Sequence, residues 1–495
     1  MSAHPLFLIV VFDGLRPDMV TPNIMPHLSR FMANGTNFTN ARTVFPSSTR
    51  PAAAALATGS TPRRNGIVHN KFFDPNVFDD RMFQPNQVSD IEAGMSAYGG
   101  DLLTTPSLGD LAAEADYTMA VLLSGSSGTA RLINPRAADR GHISMGFRNW
   151  KDSCPTDAVR KLVAAHGPVP VSARPDIDAI RVQTDMVLES VYPRYQPDIM
   201  VAWYSDPDQT HHYHGVDSAE MDTALDHVDG QFGRMIDWWQ TSDLKDRLQI
   251  IAISDHGHLT TRQRIDVNGE AAKAGFKIDD HFKDGADYAG YTSYCGSLRI
   301  RDRDFGRISA MVEWLFEQPW CGIICTQGGD GIEGCVPGTF DHALALIDHS
   351  RAPEIFLIMD NDDAATSNGI IGRCLYNGAY PEGGGTHGGL HAKEMHMVMA
   401  AQGTAFKSGF ETVHPAGIID VAPTILDCLG LIQPPTMDGR VLVESLNNSD
   451  VEPPPAETGT HKVNSGTRVQ HLTSTRVGST TYLDAGWVEC SAQRL

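Results

Sequence analysis

The stretch LFLIVVFDG, from Leu6 to Gly14, decides the fold class of this 495-residue chain. Its first seven residues are all apolar. An unbroken apolar run of this length is typical of a parallel strand that is buried on both faces. Asp13 follows the run at once. The pattern therefore predicts a core strand whose carboxyl end presents a carboxylate.

Other apolar runs along the chain end in the same way. DIMVAWYSDPD reaches Asp208, and QIIAISDH reaches Asp255 and His256. Segments with helical spacing, such as PSLGDLAAEA and MDTALDHVDGQFGRMIDWWQ, lie between such runs. Because strands and helices alternate, we predict an α/β fold with a mostly parallel central sheet flanked by helices. Ligands of such sheets bind beyond the carboxyl ends of the strands, where these polar residues stand.

The character of the sequence changes between residues 260 and 384, which are richer in glycine, charge and short mixed segments. We predict that residues 260–384 form an inserted α+β cap domain. Residues 1–259 and 385–445 then form the catalytic α/β core. Residues 446–495 are predicted to be a linker and a C-terminal β-hairpin tail, because the proline-rich NNSDVEPPPAETG is followed by STRVGSTTYLDAGWVECSA.

Composition limits the partners of the chain. The net charge of −21 repels the nucleic-acid backbone, which excludes a role in coating nucleic acid. The first residues have no basic segment or cleavage site, and no apolar stretch is long enough to span a bilayer. We expect a cytoplasmic protein that has no membrane partner. A homo-oligomer is left open.

Aspartate and histidine residues collect at the predicted strand ends. A single aspartate there is more often a helix cap or a loop anchor, and one histidine in a glycine loop such as GTHGG is equally ambiguous. Several carboxylates at one sheet edge, however, need cations among them. Carboxylate and imidazole both suit zinc, so we predict two Zn²⁺ ions, with other divalent transition metals as alternatives. The residues concerned are Asp13, Asp208, His212, Asp255, His256 and His387.

The stretch VFPSSTRPAAAALATGS, from Val44 to Ser60, predicts a helix because it is rich in alanine. Pro51 suits the first turn of that helix. A helix N-terminus offers free N–H groups to a phosphate, and the Thr49 hydroxyl beside a metal could act as a nucleophile. The alternative is that Ser47, Ser48 or Thr49 is an ordinary N-cap.

These motifs, in this order, resemble the alkaline phosphatase superfamily, and within it the nucleotide pyrophosphatase/phosphodiesterase branch and the related phosphonoacetate hydrolases. The resemblance is carried by VFDG, FPSSTRP, LATGSTPRRNGIVHN, DPDQTHHYHG, SDHGH, THGG and DVAPTILDCLGLIQPPTMDGR. It covers about residues 6–440 apart from the cap region. It implies an alkaline-phosphatase-like fold. It also implies a metal-dependent hydrolase of phosphodiester or pyrophosphate bonds in nucleotides or related small molecules.

The resemblance further implies two sets of zinc ligands. One set consists of Asp13, Asp255, His256 and the nucleophile Thr49. The other set consists of Asp208, His212 and His387. His211 replaces the glycine of the family's PDxxGH pattern, so His211 and His214 stay open as alternatives to His212.

The resemblance also implies residues that contact the substrate. Thr49 corresponds to the nucleophile, which forms a phospho-threonine that is then hydrolysed. Asn70 falls where this branch has an asparagine that donates to a phosphoryl oxygen. Arg50 stands where the phosphodiesterases often have an aromatic residue that packs on a base. Arg50 could stack likewise, pair with an extra anionic group, or face solvent.

Departures from the family patterns narrow the range of substrates that the resemblance allows. FPSSTRP has no cysteine, which disfavours sulfate-ester hydrolysis. VLLSGSSGTARLIN lacks the lysines that hold the carboxylate in phosphonoacetate hydrolases, which argues against phosphonoacetate. A phosphonate hydrolase and a phosphomonoesterase remain the alternatives, the latter because Arg50, Arg63 and Arg64 are close in sequence. A non-enzymatic binding protein is disfavoured, since no metal ligand is missing.

Overall fold

The computed structural model describes residues 4–490. Its central layer is an eight-stranded sheet, of which five neighbouring strands are parallel. In spatial order these are Leu248–Ser254, Leu6–Phe12, Ile199–Tyr204, Met119–Ser126 and Ile143–Arg148. Beyond the first of them, the sheet continues with Met399–Gln402, Thr36–Phe38 and Phe410–Thr412. Met399–Gln402 is antiparallel to both of its neighbours.

The strand Leu6–Phe12 lies inside this sheet and is buried along its whole length. Ile9 and Val11 pack into a core on one face, whereas Leu8 and Val10 pack into a second core on the other face. Because both faces are covered, every position of the strand can be apolar. The predicted fold class, a mostly parallel central sheet flanked by helices, is confirmed.

Helices cover both faces of the sheet. The face of Ile9 packs against Thr49–Thr58, Leu108–Glu114, Ser127–Ile133 and Val421–Cys428. The face of Leu8 packs against Pro26–Asn34, Thr156–His166, Ile177–Met186 and Ala219–Thr241. Further helices lie at Pro62–Asn65, Val88–Ala97, Ala137–Arg140, Tyr192–Tyr195, Asp208–His214 and Ala392–Met395.

Residues 260–384, the predicted cap, contain most of two further sheets and the helices Val267–Lys273 and Phe305–Phe316. The strands of one sheet are, in spatial order, Phe340–Asp341, Cys321–Thr326, Ile355–Met359, Cys295–Ile300, Tyr288–Tyr291 and Ile278–Asp279. Those of the other are Asn361–Ala365, Ile371–Tyr376, Leu259–Arg264 and Gly385–Thr386. The last two pair antiparallel, so the two ends of the segment meet. The boundaries of the cap domain stay a prediction.

The C-terminal region folds as a three-stranded antiparallel sheet of Ala456–Asn464, Arg468–Val477 and Thr480–Cys490. The sequence predicts only a hairpin here; the additional strand starts at Ala456, inside the predicted linker. An ion pair between Arg42 and Asp484 ties this sheet to the core beside the small sheet of Ala41–Arg42 and Ala416–Gly417.

Two parts of the predicted domain ranges, residues 1–3 of the core and 491–495 of the tail, lie outside the described residues. Within residues 4–490, no helix combines the length and apolar character needed to cross a membrane.

Candidate active site

Three neighbouring strands of the central sheet deliver three aspartates to one edge. Asp13 and Asp255 directly follow their strands, and Asp208 begins the short helix Asp208–His214 beyond the third. Two histidines come with them: His256 follows Asp255, and His212 lies one turn into the helix. The predicted strand-end residues are therefore neighbours in space.

One group consists of Asp13, Asp255 and His256, with Thr49 beside it. His256 Nε2 lies 3.2 Å from Asp255 Oδ2 and 3.6 Å from Asp13 Oδ1. Thr49 Oγ1 lies 3.3 Å from the same nitrogen. All four side chains are buried. The hydroxyl of the predicted nucleophile thus lies at the edge of a compact carboxylate and imidazole cluster.

The two carboxylates of this group each have one anchored and one unpaired oxygen. Trp203 Nε1–H donates to Asp13 Oδ2 over 2.9 Å, and the Gly14 N–H donates to Asp255 Oδ1 over 2.9 Å. Asp13 Oδ1 and Asp255 Oδ2 are buried and have no hydrogen-bond partner in the described part of the chain. Unpaired buried carboxylate oxygens are costly, and a divalent cation between them would satisfy both.

The second group is centred on Asp208. Its Oδ1 lies 3.3 Å from His212 Nε2, 3.5 Å from His387 Nε2 and 2.7 Å from His258 Nε2. His387 reaches this group from the glycine loop after the strand Gly385–Thr386. The group therefore holds the three predicted ligands and one further histidine.

The predicted histidine ligands share one orientation. Each donates its Nδ1–H to a backbone carbonyl, which can only accept, so Nε2 carries a lone pair toward its group. The pairs are His212 with Gly385 at 2.8 Å, His256 with Gly257 at 3.0 Å and His387 with Ser47 at 2.9 Å. Histidines that bind metals are typically held in this way through the other ring nitrogen.

Electrostatics favour cations in both groups. Burial, followed by the charges of Asp255 and Asp208, raises the pKa of Asp13 well above its usual range. Burial raises the pKa of Asp255 to about 7 and lowers that of His256 to about 3. Burial also lowers the pKa of His387 far below its ordinary value. Neutral imidazoles can ligate, and crowded carboxylates need positive charge, so the residues fit two divalent ions of the zinc type.

Thr49 is not the N-cap of its helix. The helix Thr49–Thr58 begins at Thr49, Ser48 takes the N-cap position, and the Ser48 side chain makes no capping hydrogen bond. Ser47 Oγ–H instead donates to the Gly389 carbonyl over 2.8 Å, which holds the glycine loop that carries His387. The Thr49 hydroxyl is thus left facing His256.

Asn70 and Arg50 lie beside Thr49. Asn70 Oδ1 accepts the Arg50 backbone N–H over 2.9 Å, which fixes the amide and leaves its NH₂ as the donor end. The Arg50 side chain is mostly buried, and its Nε has no hydrogen-bond partner among the described residues. Arg63 and Arg64, in contrast, pair with Asp348 and Asp438. Of the three arginines close in sequence, Arg50 alone is without such a partner in the described part of the chain.

The alternatives to His212 lie outside both groups. His211 stacks on His258 with ring centroids 4.2 Å apart, and neither of its nitrogens has a partner within the described range. His214 is exposed, and its nearest carboxylate is that of Glu220 at 3.9 Å. The structure brings His212, and neither of these two, to Asp208.

His258 is the residue that sequence reasoning missed. It lies at the end of SDHGH, two residues after His256, and this position at a strand end is the signal that could have revealed it. Its Nδ1 has no partner within residues 4–490, whereas its Nε2 lies 2.7 Å from Asp208 Oδ1. This is the reverse of the orientation of the predicted ligands. This orientation suits a histidine ring that donates its Nε2–H to the Asp208 carboxylate and thereby positions that carboxylate.

We predict that His258→Ala lowers metal affinity at the Asp208 group by roughly ten- to a hundredfold, because a carboxylate ligand loses its supporting donor. Competition with a metal-sensitive dye would measure this affinity, and His214→Ala is the matched control outside the group. Two ions should still bind at saturation. Loss of one ion even at saturating metal would show that His258 is itself a ligand.

Comparison with known proteins gives the family. The family model for type I phosphodiesterase / nucleotide pyrophosphatase matches residues 7–318, and the chain belongs to this family. The predicted membership of the nucleotide pyrophosphatase/phosphodiesterase branch is thereby confirmed.

The relatives show how far the similarity extends. Ectonucleotide pyrophosphatase/phosphodiesterase family member 3 of Rattus norvegicus is 22% identical over 444 residues, which are 88% of this chain and 43% of that protein. Family member 5 of Homo sapiens is 24% identical over 263 residues, 50% of this chain and 44% of that protein. A bis(5'-adenosyl)-triphosphatase of Xenopus laevis is 34% identical over 76 residues, 15% of this chain and 17% of that protein. The chain spans less than half the length of these relatives.

A solved structure with a similar fold is murine ectonucleotide pyrophosphatase/phosphodiesterase 5, an inactive variant in complex with AMP. Its TM-score is 0.60 at 18% identity, and the match covers 87% of this chain and 96% of that one. This likeness supports the fold assignment.

Proposed function

We propose that this protein hydrolyses phosphodiester or pyrophosphate bonds of nucleotides or related small molecules. Thr49 acts as the nucleophile, and two divalent ions, preferably Zn²⁺, complete the site. The observation that carries the proposal is the Thr49 hydroxyl, 3.3 Å from His256 Nε2, beside buried carboxylate oxygens that have no partner in the described part of the chain. Membership of the type I phosphodiesterase family supports the reaction class.

Asp13, Asp255 and His256 would hold one ion next to Thr49, and Asp208, His212 and His387 would hold the other. Two such ions supply positive charge to the attacking and the leaving oxygens of an in-line displacement. The orientation of each ring by a backbone carbonyl supports this assignment. Metal identity and the threonine intermediate belong to the proposal.

The reaction has two displacements. Thr49 Oγ1 gives up its proton and bonds to phosphorus, the opposite P–O bond breaks, and the leaving oxygen takes up a proton. Water then attacks the phospho-threonine, the P–O bond to Thr49 breaks, and Thr49 regains its proton. Asn70 NH₂ and the backbone N–H of Thr49, at the start of the helix Thr49–Thr58, stabilise the charge on the phosphoryl oxygens.

The segment 260–384 contributes to substrate binding in this proposal. Tyr380 stacks on His212 with ring centroids 4.0 Å apart and an interplanar angle of 13°. Tyr291 of the same segment contacts the ring of His69, next to Asn70. Two tyrosines, one beside the Asp208 group and one beside the segment that carries Asn70, are suited to select the organic part of the substrate.

The metal content provides the direct test. Gently purified protein should contain about two divalent ions per chain. A chelator should remove both ions, lower the melting temperature and stop hydrolysis of bis-p-nitrophenyl phosphate, and Zn²⁺ should restore all three. Comparison with p-nitrophenyl phosphate separates a diesterase from the monoesterase alternative. Full activity in chelator, or near-zero metal in active protein, would overturn the proposal.

A further inference from the structure

Two arginines near the candidate site have buried guanidinium nitrogens without partners. Arg50 directly follows Thr49, and its Nε has no hydrogen-bond partner among the described residues. Arg148 ends the strand Ile143–Arg148. Its Nε and Nη2 are also buried and have no hydrogen-bond partner among the described residues. A buried guanidinium nitrogen without a partner is costly, and an anion bound between the two arginines would supply the acceptors that these nitrogens lack.

Sheet order sets the position of Arg148 relative to the metal groups. The strand Ile143–Arg148 is two strands away from Ile199–Tyr204, which leads to Asp208. Neighbouring strands lie about 4.8 Å apart, so Arg148 lies on the order of 10 Å from the strand end that carries Asp208. This span matches one short ester substituent of a phosphodiester.

A cavity of about 220 Å³ lies at this end of the sheet and has Arg148 in its wall. Trp150 and Ser124 also line it. Ser124 Oγ–H donates to Ser205 Oγ over 3.0 Å, and Ser205 lies three residues before Asp208. This hydrogen bond connects the cavity wall to the segment that leads into Asp208, and the cavity is large enough for a small charged substituent.

Neighbouring acids do not satisfy these arginines. Burial lowers the pKa of Arg50; the charges of Asp13 and Asp208 oppose this effect, and the charge of Arg148 adds to it. Asp13 and Asp208 belong to the two metal groups, where bound cations would take up their charge. Asp176, the acid whose charge interacts with Arg148, accepts from the Ala173 N–H at 3.2 Å and the Ser205 hydroxyl at 3.3 Å.

We propose that Arg50 and Arg148 together bind a second anionic group, a carboxylate or a phosphate, on the ester substituent that stays on phosphorus. The inference rests on the proposed function. In an in-line displacement the leaving oxygen departs on the side opposite Thr49 Oγ1. Arg50 directly follows Thr49 in the chain, and in this proposal its guanidinium lies beside the retained substituent. The preferred substrates are diesters with an additional negative charge on this side.

The test uses three phosphodiesters with the same p-nitrophenol leaving group. Their second alcohol is propanol, 3-hydroxypropionate or ethylene glycol monophosphate. The wild-type protein should favour one of the two charged esters over the propyl ester by roughly ten- to a hundredfold in kcat/KM, as expected for a charge-assisted contact. The two charged esters distinguish a carboxylate from a phosphate as the recognised group.

Arg148→Met and Arg50→Met should each remove most of this preference, and Arg148→Lys should keep part of it. Arg181→Met, at an arginine paired with Asp185 on the surface, is the control and should keep the preference. Circular dichroism and metal content verify that each variant is folded.

Hydrolysis of the propyl ester without any preference for charge would overturn this inference and leave the proposed function intact. Absence of hydrolysis of all three esters by metal-loaded protein would overturn the proposed function itself. A faster reaction with p-nitrophenyl phosphate, reduced by both arginine changes, would assign the arginines to a terminal phosphate instead.

Discussion

Thr49→Ala is expected to lose hydrolysis by roughly four orders of magnitude or more while the protein stays folded and still binds metal. The variant lacks the oxygen that is proposed to attack phosphorus, whereas the Asp and His side chains of both groups are unchanged. Steady-state kinetics on bis-p-nitrophenyl phosphate, with metal analysis of the same sample, measure both properties. Thr49→Ser should keep substantial activity because it retains the hydroxyl.

Ser48→Ala is the matched control, since the Ser48 side chain makes no capping hydrogen bond and belongs to neither metal group. Ser47 is unsuitable because its hydroxyl supports the loop that carries His387. Acid-quenched wild type should carry labelled phosphate on the peptide that contains Thr49. A fully active Thr49→Ala protein would refute the assignment.

Asp255→Asn has the second largest expected effect. The amide oxygen can still accept the Gly14 and His256 N–H groups that now donate to Asp255 Oδ1, at 2.9 and 3.0 Å. The other position, now Oδ2, changes from a negative oxygen to an NH₂ that cannot bind a cation. We expect one ion per chain instead of two, and a fall in kcat on the order of a thousandfold.

The conservative change separates metal binding from folding. Asp255→Ala would also leave two backbone N–H donors without their acceptor, so it would reduce stability as well. Asp420→Asn, at a buried aspartate outside both groups, controls for the loss of a buried carboxylate. Two bound ions together with normal turnover in Asp255→Asn would contradict the ligand assignment.

Much of the fold and the site could be predicted because apolar runs and strand-end residues are local signals. The apolar run Leu6–Phe12 predicts a strand that is covered on both faces. Asp13 directly after it indicates a side chain at the edge of the sheet where the strand ends. The direction of the strand Met399–Gln402 is not local information. It depends on which neighbours the strand meets, and these are Leu248–Ser254 and Thr36–Phe38.

The missed residues depend on contacts between distant parts of the chain. His258 could be recognised as a partner of Asp208 only once the two strand ends were adjacent. Arg148 is a single arginine after an apolar segment, and nothing in its neighbourhood marks it as unpaired. The extra strand Ala456–Asn464 follows a proline-rich stretch, and its pairing with Arg468–Val477 decides its structure.

The two metal groups each join residues that are far apart along the chain. Asp13 and Asp255 are separated by about 240 residues, and Asp208 and His387 by about 180. In polymer terms, an ion bound in either group would be a reversible cross-link that closes a very long loop. Closing such loops costs the unfolded chain much configurational entropy, and this cost grows only slowly with loop length. The ions would therefore stabilise the whole core against unfolding. Removing them would lower the stability even of strands that do not contact the substrate.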